Sequence, residues 1–202
     1  MPRNPDATRA RIMKAATDEF ATYGIAGARM DRVAERAASS KERIYTYFGN
    51  KDQLFDAVFS NYVEDSLAEV DFDAHDLPAY AGRMFDHFAD VPERLRLSTW
   101  YRLERPEGTH LRTLIDTNDV RVQRIAAAQD DGSVPSHFTA VQLLAFIQAL
   151  STSWATMNPE FSALAASISR QERRRTVVDA VARVVGVAAA PDPDGDGGDG
   201  GG

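Results

Sequence analysis

The chain has 202 residues, with 23 Lys plus Arg against 30 Asp plus Glu, a formal net charge of −7, and no cysteine. Lack of cysteine excludes disulfides, thiolate nucleophiles, Cys-ligated zinc and iron–sulfur clusters, and an acidic balance over the whole chain argues against a uniformly basic nucleic-acid binder. With 44% hydrophobic and 26% charged residues the composition is globular, enough for one large domain or for one small and one medium.

The opening MPRNPDATRARIMKAA has no apolar core with a small-residue cleavage site, and no stretch approaches the ~18 apolar residues of a membrane span, so a cytoplasmic protein with no membrane partner is expected. Resolved along the chain, the charge divides. Residues 1–51 hold ten Lys or Arg against six Asp or Glu, net +4, which leaves −11 for the remainder, and all three lysines (Lys14, Lys41, Lys51) fall in the basic part. A small basic module on an acidic body is the asymmetry to explain.

Helical periodicity dominates and no hairpin signal occurs. A first helix is predicted over about 8–23, with Ile12, Ala16, Phe20 and Tyr23 on one face and Gly24 as its stop. A second, about 30–37, carries Met30, Val33, Ala34 and Ala37 at i, i+3, i+4 and i+7. A third, about 40–48, opens with Ser39 followed three residues later by Glu42, the spacing of a capping box. After Gly49 and Asn50 a longer helix carries Leu54, Val58, Tyr62 and Leu67 inward. Prolines then punctuate helices predicted at about 78–90, 92–104, 109–129, 136–157 and 168–188.

Two of these late helices are apolar on more than one side. Near 136–157, Leu143, Phe146, Ile147, Leu150 and Trp154 form one stripe and Val141, Leu144, Ala145 and Ala155 a second; in the last helix five valines leave only Arg175, Asp179 and Arg183 as a polar strip. One front for the chain's own core and one for a second copy is the preferred reading, with a helix sunk in a single bundle as the alternative. The end, PDPDGDGGDGGG, holds six glycines and four aspartates and reads as a disordered tail over 191–202. Its aspartates copy half of a calcium loop, but the closing Glu and second helix are missing.

Three short helices in about 40 residues, the last two separated only by Ala38 and Ser39, describe a helix-turn-helix: two helices brace the unit and the third presents a polar face to the major groove. In that third helix Ile44 and Phe48 point inward at i, i+4, leaving Lys41, Arg43, Tyr45, Thr46 and Tyr47 for nucleic acid. Here the sequence resembles the TetR family of bacterial transcriptional regulators. The matching run spans about 9–63: R-x-x-I-x-x-A-A at Arg9–Ala16, Phe20, Gly24, V-A-E-R-A, and S-K-E-R-I-Y-T-Y-F-G-N-K-D-Q-L-F from Ser40 to Phe55.

The resemblance implies an all-α fold: an N-terminal three-helix helix-turn-helix DNA-binding domain over 6–66, then an all-helical ligand-binding and dimerisation domain over 67–190. It implies that Tyr45 and the residues opening the recognition helix, Lys41, Glu42 and Arg43, approach base edges, that Thr46, Tyr47 and Lys51 hold phosphates, and that Ser40 belongs to the DNA-binding set. An Arg43 fork onto guanine and a Tyr45 ring on a thymine methyl suit that assignment, as does a phosphate at Lys51, beside a helix N-terminus.

The chain departs from the family pattern at the turn, where Ala38 replaces a glycine and Ser39 an apolar residue. A turn that relaxes, with Ser39 as a cap, is expected. Ala28 and Arg29 occupy the slots where the second helix usually starts on Ser or Thr; a lost cap costs about 1 kcal/mol, and a cation there opposes the helix dipole, so Arg29 is read as a phosphate contact.

Four histidines (His75, His87, His110, His137) lack metal-site spacing, and no G-x-S-x-G, P-loop or G-x-G-x-x-G occurs. No cofactor, metal or enzymatic activity is therefore expected. Phe85, His87, Phe88, Trp100, Tyr101 and Trp154 are candidates to line a small-molecule pocket, which the resemblance places among the middle helices, or else ordinary core aromatics. The expected function is a homodimeric repressor of a double-stranded, pseudo-palindromic operator, responsive to a small-molecule effector. The alternative keeps the helix-turn-helix but makes the body a protein-interaction or dimerisation module without an inducer.

Overall fold

The computed structural model describes residues 5–105 and 112–186. The tail expected at 191–202 lies outside them. Ten α-helices and no strand occur among the described residues: α1 Pro5–Gly27, α2 Met30–Arg36, α3 Lys41–Phe48, α4 Lys51–Glu69, α5 Leu77–Asp90, α6 Pro92–Glu104, α7 Arg112–Asp130, α8 Ala140–Thr152, α9 Pro159–Leu164 and α10 Arg170–Val185. They belong to two compact units, one of residues up to 70 with 87–118, the other of 71–86 with 119 onward.

The first unit is built on α1. Ile12, Ala16 and Phe20 are solvent-free and meet Val33 of α2, Ile44 of α3 and Leu54 and Phe55 of α4 in one core. Phe20 sits edge-on to Phe55 at 5.2 Å. The helical pattern of α1 breaks at Gly24, as its sequence predicts, with φ 68° and ψ −173°. Gly24 is also where α6 arrives: a Cβ there would lie 2.6 Å from a Trp100 ring carbon and 2.5 Å from Glu104 Oε1. The Glu104 carboxylate accepts from the Ile25 and Ala26 amides at 2.8 and 3.2 Å, capping the turn beyond the break.

In the second unit α8 and α10 pack together, burying Leu143 and Ile147 with Val177, Val181 and Val185. Both helices begin at full capping boxes, Thr139 with Gln142 and Ser169 with Glu172. The cap at Thr139 starts α8 later than the predicted 136, and the predicted helix to 157 finishes instead as a short 3-10 turn, Ser153–Ala155. Asn158 and Pro159, an N-cap and N1 pair, then open α9, a helix that periodicity over so few residues did not reveal. Gly82 of α5 lets α10 approach: a Cβ would meet Arg174 at 2.8 Å and Val178 at 3.1 Å.

The two apolar fronts are only partly as expected. Leu143 and Ile147 are buried, but Phe146, assigned to the same stripe, is 41% exposed and shares the outer face with Val141 at 61% and Ala145. Leu144, assigned to the second stripe with Val141 and Ala145, is buried. Leu144 and Phe146 therefore exchange faces relative to the two stripes read from the sequence.

Candidate nucleic-acid interface

Helix α3 is anchored by Ile44, at 0% exposure, and Phe48, while Glu42, Arg43, Tyr45, Thr46 and Tyr47 all stand exposed on the same helix. Burying the two anchors stabilises this short helix by roughly 1.5–3 kcal/mol each, which an eight-residue segment requires because its own propensity cannot hold it. Its N-cap is Ser40, whose hydroxyl accepts from the Arg43 amide at 3.3 Å. Glu42 folds back toward its own amide and the Ser40 hydroxyl, and those two hydrogen bonds hold its carboxyl below the usual range against partial desolvation. The cap expected at Ser39 is therefore one residue later; Ser39 Oγ is buried without a hydrogen-bond partner.

The turn does not relax. Ala38 keeps φ 46°, the only described non-glycine residue with a positive φ. The turn is closed on both sides, by Ser39 N–H to Ala34 O at 2.9 Å and by Arg11 Nε to Ala37 O at 3.2 Å. This over-determined geometry imposes on alanine the conformation glycine would adopt at lower cost.

Helix α2 has no side-chain cap of its own, as expected from Ala28 and Arg29. Its first N–H, that of Arg29, instead donates to Glu19 Oε1 at 2.8 Å, and the same oxygen accepts from Arg32 Nε at 2.8 Å. Glu19 is fully buried in α1, with Arg36 Nη1 3.8 Å from its second oxygen. Burial alone would raise the Glu19 carboxyl; the Arg32 hydrogen bond, the Arg29 amide and the charges of Arg32 and Arg36 outweigh it and hold the group below its usual value. The Arg32 guanidinium is further held 4.2 Å from the Tyr23 ring centroid. Arg29, in contrast, is exposed, and its side chain has no ion pair among the described residues.

Two lysines of the candidate set are tethered. Lys41 Nζ lies 2.6 Å from Asp31 of α2, and this contact raises the lysine and lowers the aspartate from their ordinary values. Lys51 Nζ points back to the Ala26 and Ala28 carbonyls at 3.5 and 3.4 Å, at the junction of α1 and α2. Tyr47 Oη is 3.5 Å from the Pro5 carbonyl, and Thr46 Oγ1 donates to Glu42 O at 2.8 Å. Sequence reasoning passed over Glu19 and Asp31; a carboxylate one position before Phe20 in an otherwise apolar helix face was the available signal for the first.

The candidate pocket aromatics divide between the two units, with His87, Phe88, Trp100 and Tyr101 in the first and Phe85 and Trp154 in the second. Tyr101 stacks on Phe59 at 4.1 Å, and Trp100 donates from Nε1 to Ala21 O at 3.3 Å. His87 Nε2 is 3.0 Å from Ser66 Oγ, its other nitrogen is 3.2 Å from Glu69, and Phe88 lies edge-on to its ring at 5.2 Å. Burial and the Arg94 charge push this imidazole below its ordinary value despite Glu69. Phe85 is buried in the second unit. There too, Trp154 lines an open groove of about 430 Å³ with Leu150, Met157, Phe161 and Val177. No group of three or more metal-ligating side chains occurs among the described residues, nor any helix long and apolar enough to cross a membrane.

Two family models match the chain: the tetR family of bacterial regulatory proteins over residues 12–58, and the tetracyclin repressor-like C-terminal domain over 76–183. The HTH-type transcriptional repressor SCO4008 of Streptomyces coelicolor is 36% identical over 160 residues, 78% of this chain and 83% of that protein. The repressor NicS of Pseudomonas putida is 39% identical over 66 residues, 32% of this chain and 31% of NicS. The crystal structure of the putative transcriptional regulator SCO4942 from Streptomyces coelicolor superposes with a TM-score of 0.81 at 38% identity, covering 90% of this chain and 99% of that one. With a helix-turn-helix on a helical body and matches to both halves, this chain belongs to the TetR family of DNA-binding transcriptional regulators.

Proposed function

We propose that the protein is a ligand-responsive repressor that acts in the cytoplasm and binds a pseudo-palindromic operator as a homodimer. Residues 6–66 serve as the reading head and 67–190 as the effector and dimerisation domain. The observation that carries the reading is the face of α3: Arg43, Tyr45, Thr46 and Tyr47 exposed on a helix pinned from behind by Ile44 and Phe48. Arg43 and Tyr45 read base edges together with Ser40, Lys41 and Glu42 at the helix start; Arg29, Thr46, Tyr47 and Lys51 engage phosphates.

The outer face of α8, with Val141, Ala145 and Phe146, and the exposed Phe161 and Leu164 of α9 supply apolar surface for a second copy. A two-fold dimer sets the two α3 helices against half-sites about one helical turn apart. An effector bound in the body favours a conformer with the helices wrongly spaced; full reversal from 1:99 to 99:1 needs about 5.5 kcal/mol of differential binding. No catalytic role is assigned to any residue.

The test is the ratio of operator to random-sequence affinity in Arg43→Ala and Tyr45→Ala. Each is expected to lower that ratio about 5- to 150-fold, the equivalent of a lost base contact. Equal weakening on both DNAs, with the ratio kept, would remove this face as the reader.

A further inference from the structure

Three arginines of the second unit gather around the segment before α5 without meeting a carboxylate. Arg83 Nε donates to Asp71 O at 3.0 Å, and Arg124 Nη1 to Phe72 O at 3.5 Å. The Arg121 guanidinium lies 5.6 Å from the Phe72 ring centroid and 5.4 Å from that of Tyr80, and these rings meet edge-on at 4.9 Å. Elsewhere in the unit Arg170 and Arg174 both reach Asp86, at 3.5 and 2.7 Å. Arg83, Arg121 and Arg124 form no ion pair among the described residues, and of the three Arg83 and Arg121 are partly buried.

Within this group two donors are sealed from solvent and bond to nothing: Tyr80 Oη and Arg83 Nη2. Tyr80 is fully buried and precedes Arg83 by three residues on α5, so both lie on one side of the helix. Buried polar groups are nearly always paired, and a guanidinium nitrogen left without an acceptor is especially unfavourable. Burial pushes the Tyr80 phenol up, against the charges of Arg121 and Arg83, so its hydroxyl keeps its proton and remains a donor.

We infer that Tyr80, Arg83 and Arg121 form a subsite for the carboxylate of a small organic ligand. The unpartnered Arg83 Nη2 supplies a charge-assisted donor to a carboxylate oxygen, the phenol adds a second donor, and Arg121 supplies charge above the aromatic pair. The inference names the chemistry of the effector and so rests on the ligand-responsive reading above. None of the aromatics singled out in the sequence belongs to this group, because an orphaned hydroxyl has no periodicity to betray it.

Thermal unfolding of the full chain at constant ionic strength, with sodium benzoate, inorganic phosphate or chloride, tests the subsite. Benzoate is expected to raise the wild-type midpoint in a concentration-dependent way, while phosphate behaves as chloride. Arg83→Gln and Tyr80→Phe should each weaken apparent benzoate affinity at least tenfold. Tyr80→Phe should also raise the midpoint of the ligand-free protein, since it deletes a hydroxyl that has no partner; this variant carries the test if Arg83→Gln does not fold.

A benzoate response no greater than that of chloride, or one unchanged in both variants, overturns the assignment. A stronger response to phosphate replaces the carboxylate with an inorganic oxyanion and overturns it too, and a lowered ligand-free midpoint in Tyr80→Phe means that a water already serves the hydroxyl. Operator affinity separates the two readings. Benzoate that binds without changing it leaves the subsite standing and removes the effector role; DNA release by a different compound, with no benzoate binding, does the reverse.

Discussion

The Glu19 carboxylate accepts a hydrogen bond from the main-chain N–H of Arg29 at 2.8 Å, and so caps α2 from inside α1. A helix whose N-cap residue is Arg29, with no Ser or Thr side-chain cap, thereby recovers a partner for one of its free N–H groups. The same oxygen holds Arg32, which fixes α2 on α1 and leaves Arg29 as an arginine at the start of α2 with an uncommitted side chain.

Glu19→Gln should lower unfolding free energy by about 2 kcal/mol, the scale of a hydrogen bond to a charged group discounted for the solvent reaching Arg32. The pH dependence has a definite sign. The native carboxyl lies below its unfolded value, so its contribution is complete above the ordinary glutamate range and is lost as pH falls through the depressed native value. Chemical denaturation of wild type and Glu19→Gln across pH should show a gap that is constant at neutral pH and closes on acidification; a gap that widens in acid contradicts the assignment.

Ala38→Gly should stabilise the protein by about 1 kcal/mol, because alanine at φ 46° bears a left-handed penalty that exceeds the unfolded-state entropy glycine adds. The denaturation midpoint is expected to rise with an unchanged slope. Ala38→Val at the same place should lower it.

The two arginines beside Glu19 should separate cleanly. Arg29→Ala is expected to reduce the slope of log affinity against log salt by about one, with little change in midpoint. Arg32→Ala should instead lower the thermal midpoint, because it removes the partner of a buried carboxylate and the contact on Tyr23. Equal effects of both on the salt slope would mean that Arg32 leaves Glu19 to meet DNA.

Asp31 holds Lys41 against α2 in the free protein. Freed by Asp31→Asn, Lys41 should steepen the salt dependence of binding to random DNA by about one, and Asp31→Asn combined with Lys41→Gln should restore the wild-type slope. A slope unaltered by Asp31→Asn would show that Lys41 already leaves the aspartate when DNA binds.

What the sequence made legible follows the length scale of each signal. Ile44 and Phe48 split α3 into two faces by spacing alone, α4 begins after Gly49 and Asn50 as expected, and α6 follows its predicted range because several turns repeat one pattern. The cap of α3 slipped by one residue, since Ser39 and Ser40 both precede the helix and Glu42 lies at capping-box distance only from the wrong one; Ser40 won because its hydroxyl reaches the Arg43 amide. The Ala38 turn was misjudged for a different reason. Local propensity favours relaxation, but Arg11 and Ala34 hold the turn from outside it. Long-range partners were equally out of reach: Glu19 caps a helix ten residues on, and Trp100, which sequence leaves open between a pocket and a core aromatic, packs where Gly24 breaks α1.

Selection of bound DNA from a random library by the full chain tests the central claim most directly, since it reports sequence preference, symmetry and spacing together. The expected product is a pseudo-palindrome whose half-sites lie about one helical turn, or a multiple of it, apart, and whose information falls where Arg43 and Tyr45 meet the major groove. Enrichment of a single asymmetric site, or of no sequence at all, would contradict a symmetric dimer that reads DNA through α3.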